Sequence, residues 1–356
     1  MKAEEELDSA GPWLIGGNSR CGKTTLVNAI NSAHGPVAGL PVEGLMVVFL
    51  NRWYLFPQRQ MRRILEDYLS RNRFVDEHRK RSQAPQQFLA TSFDQIIATM
   101  PEEAKHQIEF IAHALDVFAV DEGRPTWAVC DVNSETRYGA LKRHIPDLKL
   151  VLMVRDPRAS LCHSLHWNTY PKRIRNADLM LRLEFLRWGI AYATGLHQRR
   201  RHPRDVHLLS FDDLVNGDAG EEMKLDLLFG IPHDTYREMI GGAADYAFEP
   251  DRGWLTPDGA RHDLLTEREV AIIEYCLIKS FPDFDLKPSI AQPAKHLKWL
   301  DFCFAWMYFA TIRACPIWPE GVRIIVDTIY HPWASTLRRL RILKTIAIEN
   351  SRALRA

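Results

Sequence analysis

The sequence predicts an α/β protein built as a three-layer parallel sheet with helices on both faces, plus a C-terminal helical extension. Three observations predict it. Short apolar runs bounded by turn residues recur at Trp13–Gly17, Trp127–Val132, Leu148–Val154 and Val206–Phe211. The segments between them place apolar residues at helical spacing, so strands alternate with helices. From about residue 291 the character changes to dense aromatics and then a basic amphipathic stretch. This reading divides the chain into one α/β domain, residues 1–290, and an extension, residues 291–356.

Each element follows from its own residues. Trp13-Leu-Ile-Gly-Gly17 reads as a short buried strand, followed by a Gly-containing turn and a helical pattern over Thr24–Ser32. Gly44–Leu50 fits a second buried strand or the start of a helix, which periodicity does not separate. Residues 58–118 alternate charged and apolar positions at helical spacing, with Pro85 and Pro101 as breakers. The three later apolar runs are the remaining strands. In parallel sheets of this kind ligands bind outside the carboxyl ends of the strands.

Bulk properties bound the function. Lys and Arg number 46 against 45 Asp and Glu, a formal net charge of +1. That balance argues against nucleic acid as a partner through wholesale electrostatics, while leaving room for local basic patches. The start of the chain, Met1-Lys-Ala-Glu-Glu-Glu-Leu-Asp, is acidic, and the longest apolar run, Phe302–Ile312, falls short of the roughly 18 residues of a membrane span. A cytoplasmic protein is expected. The six cysteines form no CxxC pair, and reduced, buried thiols are expected.

The first chemical motif is Gly17-Asn18-Ser19-Arg20-Cys21-Gly22-Lys23-Thr24-Thr25, which fits G-x-x-x-x-G-K-[ST] between a strand and a helix, the context of a P-loop. Glycines let backbone N–H groups converge on an anion, and the helix N-terminus adds positive potential. Lys23 supplies a mobile charge for bridging or terminal oxygens, and Thr24 and Thr25 supply hydroxyls. The pattern predicts phosphate binding without naming the nucleotide.

The second motif is Leu148-Lys-Leu-Val-Leu-Met-Val-Arg155-Asp-Pro-Arg-Ala-Ser160-Leu-Cys-His163-Ser164, an apolar strand ending in Arg and then a Pro-initiated helix. It resembles the 3′-phosphate-binding motif of the sulfotransferase family, whose sulfuryl donor is 3′-phosphoadenosine 5′-phosphosulfate (PAPS). Further segments fit the family in order. Arg20-Cys-Gly-Lys-Thr-Thr25 resembles its 5′-phosphosulfate loop, and Ile145-Pro-Asp-Leu-Lys149 precedes the Arg strand as in the family. Trp188 stands in the helix that commonly carries a Trp. His207-Leu-Leu-Ser-Phe-Asp-Asp-Leu-Val215 resembles R-Y-E-D-L, and Leu227-Leu-Phe-Gly-Ile-Pro232 resembles F-L-G-I-P. The resemblance spans roughly residues 13–285 and is that of the bacterial and carbohydrate-type branch.

The resemblance implies that Arg155 and Ser164 hold the 3′-phosphate. The family's Ser falls where this chain has His163, so Ser160, His163 and Ser164 all stand as candidates. It also implies that Lys23 stabilises the leaving bridging oxygen, Arg20 orients the sulfonate, and Arg252, in Arg252-Gly-Trp254, closes over the nucleotide. Glu43 lies at the distance after the loop where the family often carries its general base, with His34 the second candidate. The resemblance further implies a reaction that requires no metal and an acceptor hydroxyl, expected to be that of a carbohydrate or glycolipid.

Two other readings fit parts of the chain. A P-loop kinase or NTPase would use Lys23 on ATP and Asp131 on Mg²⁺, and a nucleotide-binding scaffold would keep the loops without catalysis. Phe302–Ile312 reads as the inner face of a helix packed on the core, or as a partner or membrane-surface helix. The basic stretch Leu337–Arg355 fits an interfacial element beside anionic lipid and a solvated helix equally well.

Overall fold

The computed structural model describes residues 11–18, 20–40, 98–99, 107–130, 134–166, 177–232, 236, 265–285, 287–319, 321–322 and 325. The strands are β1 (Trp13–Gly16), β2 (Val37–Leu40), β3 (Thr126–Cys130), β4 (Lys149–Val154) and β5 (Val206–Ser210). They form one parallel sheet in the order β2-β3-β1-β4-β5. The helices are α1 (Lys23–Ser32), α2 (Gln107–Asp121), α3 (Tyr138–Lys142), α4 (Pro157–His166), α5 (Ala177–Arg201), α6 (Phe211–Asn216), α7 (Ala219–Phe229), α8 (Glu267–Ser280) and α9 (Trp299–Ala314).

Alternation along the strands builds the layers. Leu14, Trp127, Val129 and Leu150 join α2 and α3 in one core cluster. Their neighbours Trp13, Ile15, Ala128, Cys130, Val151 and Met153 join α1 and α7 in another. Successive side chains of a strand point to opposite faces, so near-continuous apolar runs are what a sheet covered on both sides requires. The central strand β1 carries Trp13, Leu14 and Ile15 with no exposure at all. From β1 the chain turns toward β2 and β3, and from β4 toward β5. The crevice outside the carboxyl ends of β1 and β4 is therefore the topological switch point.

A third cluster packs α4, α5, α8 and α9 together. Gly189 makes the α5–α9 approach close: a side-chain carbon there would lie 2.4 Å from the Tyr308 hydroxyl. The Tyr308 ring instead stacks on Phe185, with centroids 4.7 Å apart. Asp301 is wholly buried in this junction. Its carboxylate accepts hydrogen bonds from the Arg182 guanidinium, from Arg268 Nε and Nη2 at 2.8 Å each, and from the Lys298 amide at 2.7 Å. Burial alone pushes this carboxyl up, but hydrogen bonds from Arg268 and Arg182 hold it well below the usual carboxylate range.

The strands at 13–16, 126–130, 149–154 and 206–210 coincide with the expected apolar runs, and Phe211 opens a helix instead of ending a strand. Strand β2 is an addition. It is four residues long, contains Gly39, and is tied to α1 by the Asn31 side chain, which bonds both the N–H and the C=O of Gly39 at 2.7 Å. Gly44–Leu50, Asp131 and Leu337–Arg355 lie outside the described residues. All six cysteines are free thiols, and Cys303, unlike the other five, is exposed.

Replacing Asp301 with Asn should destabilise the fold by about 3–5 kcal/mol, because two arginines lose a buried counter-charge. The folded-state value lies below the unfolded one near 3.9. The wild-type pair therefore contributes stability above about pH 4 and loses it as the pH falls further. Urea unfolding of both proteins across that range checks this: the difference between them should shrink on acidification.

Candidate functional site

The loop between β1 and α1 is shaped by backbone restraint from below. The Gly17 amide donates to Glu135 Oε2 at 3.0 Å, from a 3₁₀ turn (Ser134–Thr136) beyond β3. Glu135 is wholly buried. Arg20 holds a φ of 64°, a left-handed conformation that costs a non-glycine residue roughly 1–2 kcal/mol. Gly22, at φ 90°, is the N-cap of α1, and no acidic residue stands in that helix's first turn. A side-chain carbon at position 22 would lie 2.1 Å from the Phe211 ring, so only glycine lets the loop and α6 meet.

Lys23 is buried, and its ammonium donates to the carbonyls of Gly17 at 3.1 Å and Asn18 at 2.6 Å. The loop's own oxygens thus hold the charge at the place where an anion would replace them. Asn18 Nδ2 is buried without a hydrogen-bond acceptor among the described residues. A buried donor in this state fits an incoming anionic ligand. Cys21 is buried, and Thr24 and Thr25 are half-buried on the first turn of α1.

Arg155, at the end of β4, reaches this loop. Its Nη1 donates to Arg20 O at 3.2 Å, and its guanidinium carbon lies 4.8 Å from the Phe211 ring centroid. Its Nε sits 3.4 Å from Asp212 Oδ1. The other Asp212 oxygen accepts the Asp156 amide at 2.8 Å, and Trp188 Nε1 donates to Arg155 O at 3.0 Å. Burial pushes the Asp212 carboxyl up, and the Arg155 charge and the Asp156 amide only partly pull it back.

Behind Arg155, the next arginine is structural. Arg158 pairs with Asp156 and, at 2.6 Å, with Glu274 of α8, which is fully buried. Glu274 also accepts from Ser289 N, Ser289 Oγ and Ile290 N. Beside Arg155 a cavity of about 550 Å³ opens toward β5, walled by Arg158, Tyr192, Phe211, Asp212 and Phe284 among others.

The structure therefore brings Gly17, Asn18, Arg20, Cys21, Gly22, Lys23, Thr24, Thr25 and Arg155 together. Ser160 turns inward, its hydroxyl donating to Pro157 O at 3.3 Å. His34 is not at the loop. It is exposed beyond the opposite end of α1, a ten-residue helix about 15 Å long, and faces Arg124 Nη2 at 3.0 Å. Ser19, Glu43, Arg252 and the side chains of His163 and Ser164 lie outside the described residues.

Residues 12–234, well over half of the chain, match the model of the sulfotransferase family. The chain belongs to the sulfotransferase family. Among solved structures, the chain is similar to a sulfotransferase from Mycobacterium avium, at 16% identity with 80% of each chain covered and a TM-score of 0.42. It is also similar to the sulfotransferase domain of an olefin synthase from Synechococcus, at 16% identity, covering 86% of this chain and 98% of that one, with a TM-score of 0.39. No curated protein matches the chain in sequence.

Two residues of this candidate site escape a reading of motifs. Asp212 lies inside a segment that resembles the family's strand and turn, but nothing in that pattern says that it pairs with Arg155. Glu135 carries no sequence signal, since its role comes from a 3₁₀ turn that the sheet brings under Gly17. Gly22→Ala should cost about 1–3 kcal/mol of stability and displace the loop, because both the φ and the Phe211 contact forbid a side chain. Trp188→Phe keeps the packing and removes the donor to Arg155 O, at a cost of about 1–3 kcal/mol. Thermal unfolding of both variants checks these figures.

Proposed function

We propose that this sulfotransferase moves a sulfuryl group from PAPS to a hydroxyl, of a carbohydrate or glycolipid acceptor. The observation that carries the reading is the meeting of the two motifs: the guanidinium of Arg155 touches the carbonyl of Arg20 in the Gly17–Thr25 loop. Two anion-binding elements side by side suit a nucleotide with phosphate at both its 5′ and 3′ positions. A nucleoside triphosphate would need the first element alone, and the family match also speaks against the kinase reading.

In this reading the loop amides and the hydroxyls of Thr24 and Thr25 hold the 5′-phosphosulfate. Arg155 exchanges the Arg20 carbonyl for 3′-phosphate oxygens while keeping Asp212, and Ser164 supplies a hydroxyl from α4. Arg252 closes over the nucleotide. Sulfuryl transfer is mostly positioning and charge neutralisation. The acceptor oxygen forms a bond to sulfur as the bond from sulfur to the 5′-phosphate oxygen breaks. Lys23, released from the Gly17 and Asn18 carbonyls, meets the charge growing on that oxygen, and Arg20 orients the sulfonate. The acceptor's proton passes to Glu43 as general base. Adenosine 3′,5′-bisphosphate departs.

Steady-state transfer of labelled sulfate to a panel of hydroxyl acceptors tests this. Lys23→Ala should lower kcat by about 10²–10³-fold, as loss of a transition-state donor does. Arg155→Ala should raise the KM for the donor at least roughly tenfold, with a smaller change in kcat. An Arg155→Ala enzyme with an unchanged donor KM would overturn the assignment of the 3′-phosphate site.

A further inference from the structure

Helix α9 carries large apolar side chains on both its inner and its outer faces, and only the inner face is covered. One face, with Phe304, Ala305, Tyr308 and Ile312, enters the core shared with α5 and α8. The opposite face leaves Trp299 76%, Leu300 67% and Trp306 75% exposed, flanked by exposed Phe302 and Met307. A helix that is hydrophobic on both faces is ordinarily buried on both, so this face is built for an occupant.

Charge selects the occupant. The helix carries two charged residues, Asp301 and Arg313. Asp301 is spent on Arg182 and Arg268 inside the core, so the outer face presents no acid. Lys295 and Lys298 stand exposed before its first turn, and Arg313 stands exposed in its last. Both ends of the face are therefore cationic. A second copy of the chain would bring cation against cation in either orientation of a symmetric pair. The stretch Leu337–Arg355 of the same chain, with Arg338, Arg339, Arg341, Lys344, Arg352 and Arg355 against Glu349, carries the same sign. A surface that is apolar below and anionic above complements all of these features.

We propose that the Trp299–Trp306 face of α9 docks on the surface of a bilayer containing anionic lipid. The helix lies in the plane of the interface, with its tryptophans at headgroup level and Lys295, Lys298 and Arg313 against lipid phosphates. It does not cross: sixteen residues span about 24 Å, less than the ~30 Å hydrocarbon core, and the inner face is committed to protein. Among the described residues no helix is long and apolar enough to cross a membrane. This inference stands independently of the sulfuryl-transfer reading. If both hold, α9 brings the enzyme to the surface where a glycolipid acceptor resides.

Flotation of the full chain with vesicles tests it, using phosphatidylcholine alone and equimolar phosphatidylcholine and phosphatidylglycerol. The chain should float with the mixed vesicles, shift its tryptophan emission to shorter wavelength, and release as salt is raised. The Trp299→Ser/Trp306→Ser variant should bind at least roughly tenfold more weakly while keeping the wild-type unfolding temperature. Lys295→Glu/Lys298→Glu should weaken binding to the anionic vesicles specifically. Failure of the wild type to float overturns the proposal, and so does undiminished flotation of the tryptophan variant. So too does light scattering that shows a dimer which the tryptophan variant abolishes. None of these outcomes depends on measuring sulfuryl transfer.

Discussion

The contact of Gly22, Phe211 and Arg155 is the constraint on which the site depends. Phe211 sits where β5 ends and α6 begins, so its ring is fixed by the sheet. Gly22 can approach that ring only because it has no side chain, and the Arg155 guanidinium lies 4.8 Å from the same ring's centroid. A single aromatic side chain thus sets the separation of the loop after β1 from the arginine after β4. Residues far apart in the chain converge there because the parallel sheet places β1 beside β4 and β4 beside β5. The strained Arg20 backbone persists because Glu135, below the loop, and Arg155, beside it, restrain it from two sides.

Buried charge extends this order outward. Arg158 and the fully buried Glu274 form an ion pair at 2.6 Å, and Asp301 is shared between Arg182 and Arg268. Such groups contribute little net stability over well-packed apolar replacements, but leaving one unpaired costs several kcal/mol. Their effect is to specify geometry: α8 has one place against α4, and α9 has one place against α5. Both helices follow residue 234, past the segment that matches the family, yet they share a core with α4 and α5. The backing of Arg155 through Asp156 and Arg158 therefore includes Glu274 from outside the family match.

Much of this was legible in the sequence because its signals are local. Four of the five strands are apolar runs that need no partner to be recognised, and G-x-x-x-x-G-K-[ST] is a contiguous pattern. The ordered motifs from Trp13 to Pro232 point to the family that the comparison shows. What stayed hidden depends on tertiary placement. Strand β2 is too short and too rich in small residues to stand out, and the Asn31 clamp on Gly39 appears only when α1 folds back. Asp212 and Glu135 are ordinary acids until the sheet sets one beside Arg155 and the other beneath Gly17. Sequence pattern marked Phe302–Ile312 as one helix but did not divide it into a face that is buried and a face that is not. Distance, too, is invisible in a motif: His34 is near the loop in sequence and a helix length away in space.

The central claim is that one nucleotide is held by both the Gly17–Thr25 loop and Arg155. Calorimetric titration with adenosine 3′,5′-bisphosphate and with ATP, each with and without Mg²⁺, tests it most directly. Tight binding of the bisphosphate, independent of the metal and weakened in Arg155→Ala, is the predicted result. A preference for Mg²⁺–ATP that ignores Arg155 would contradict it.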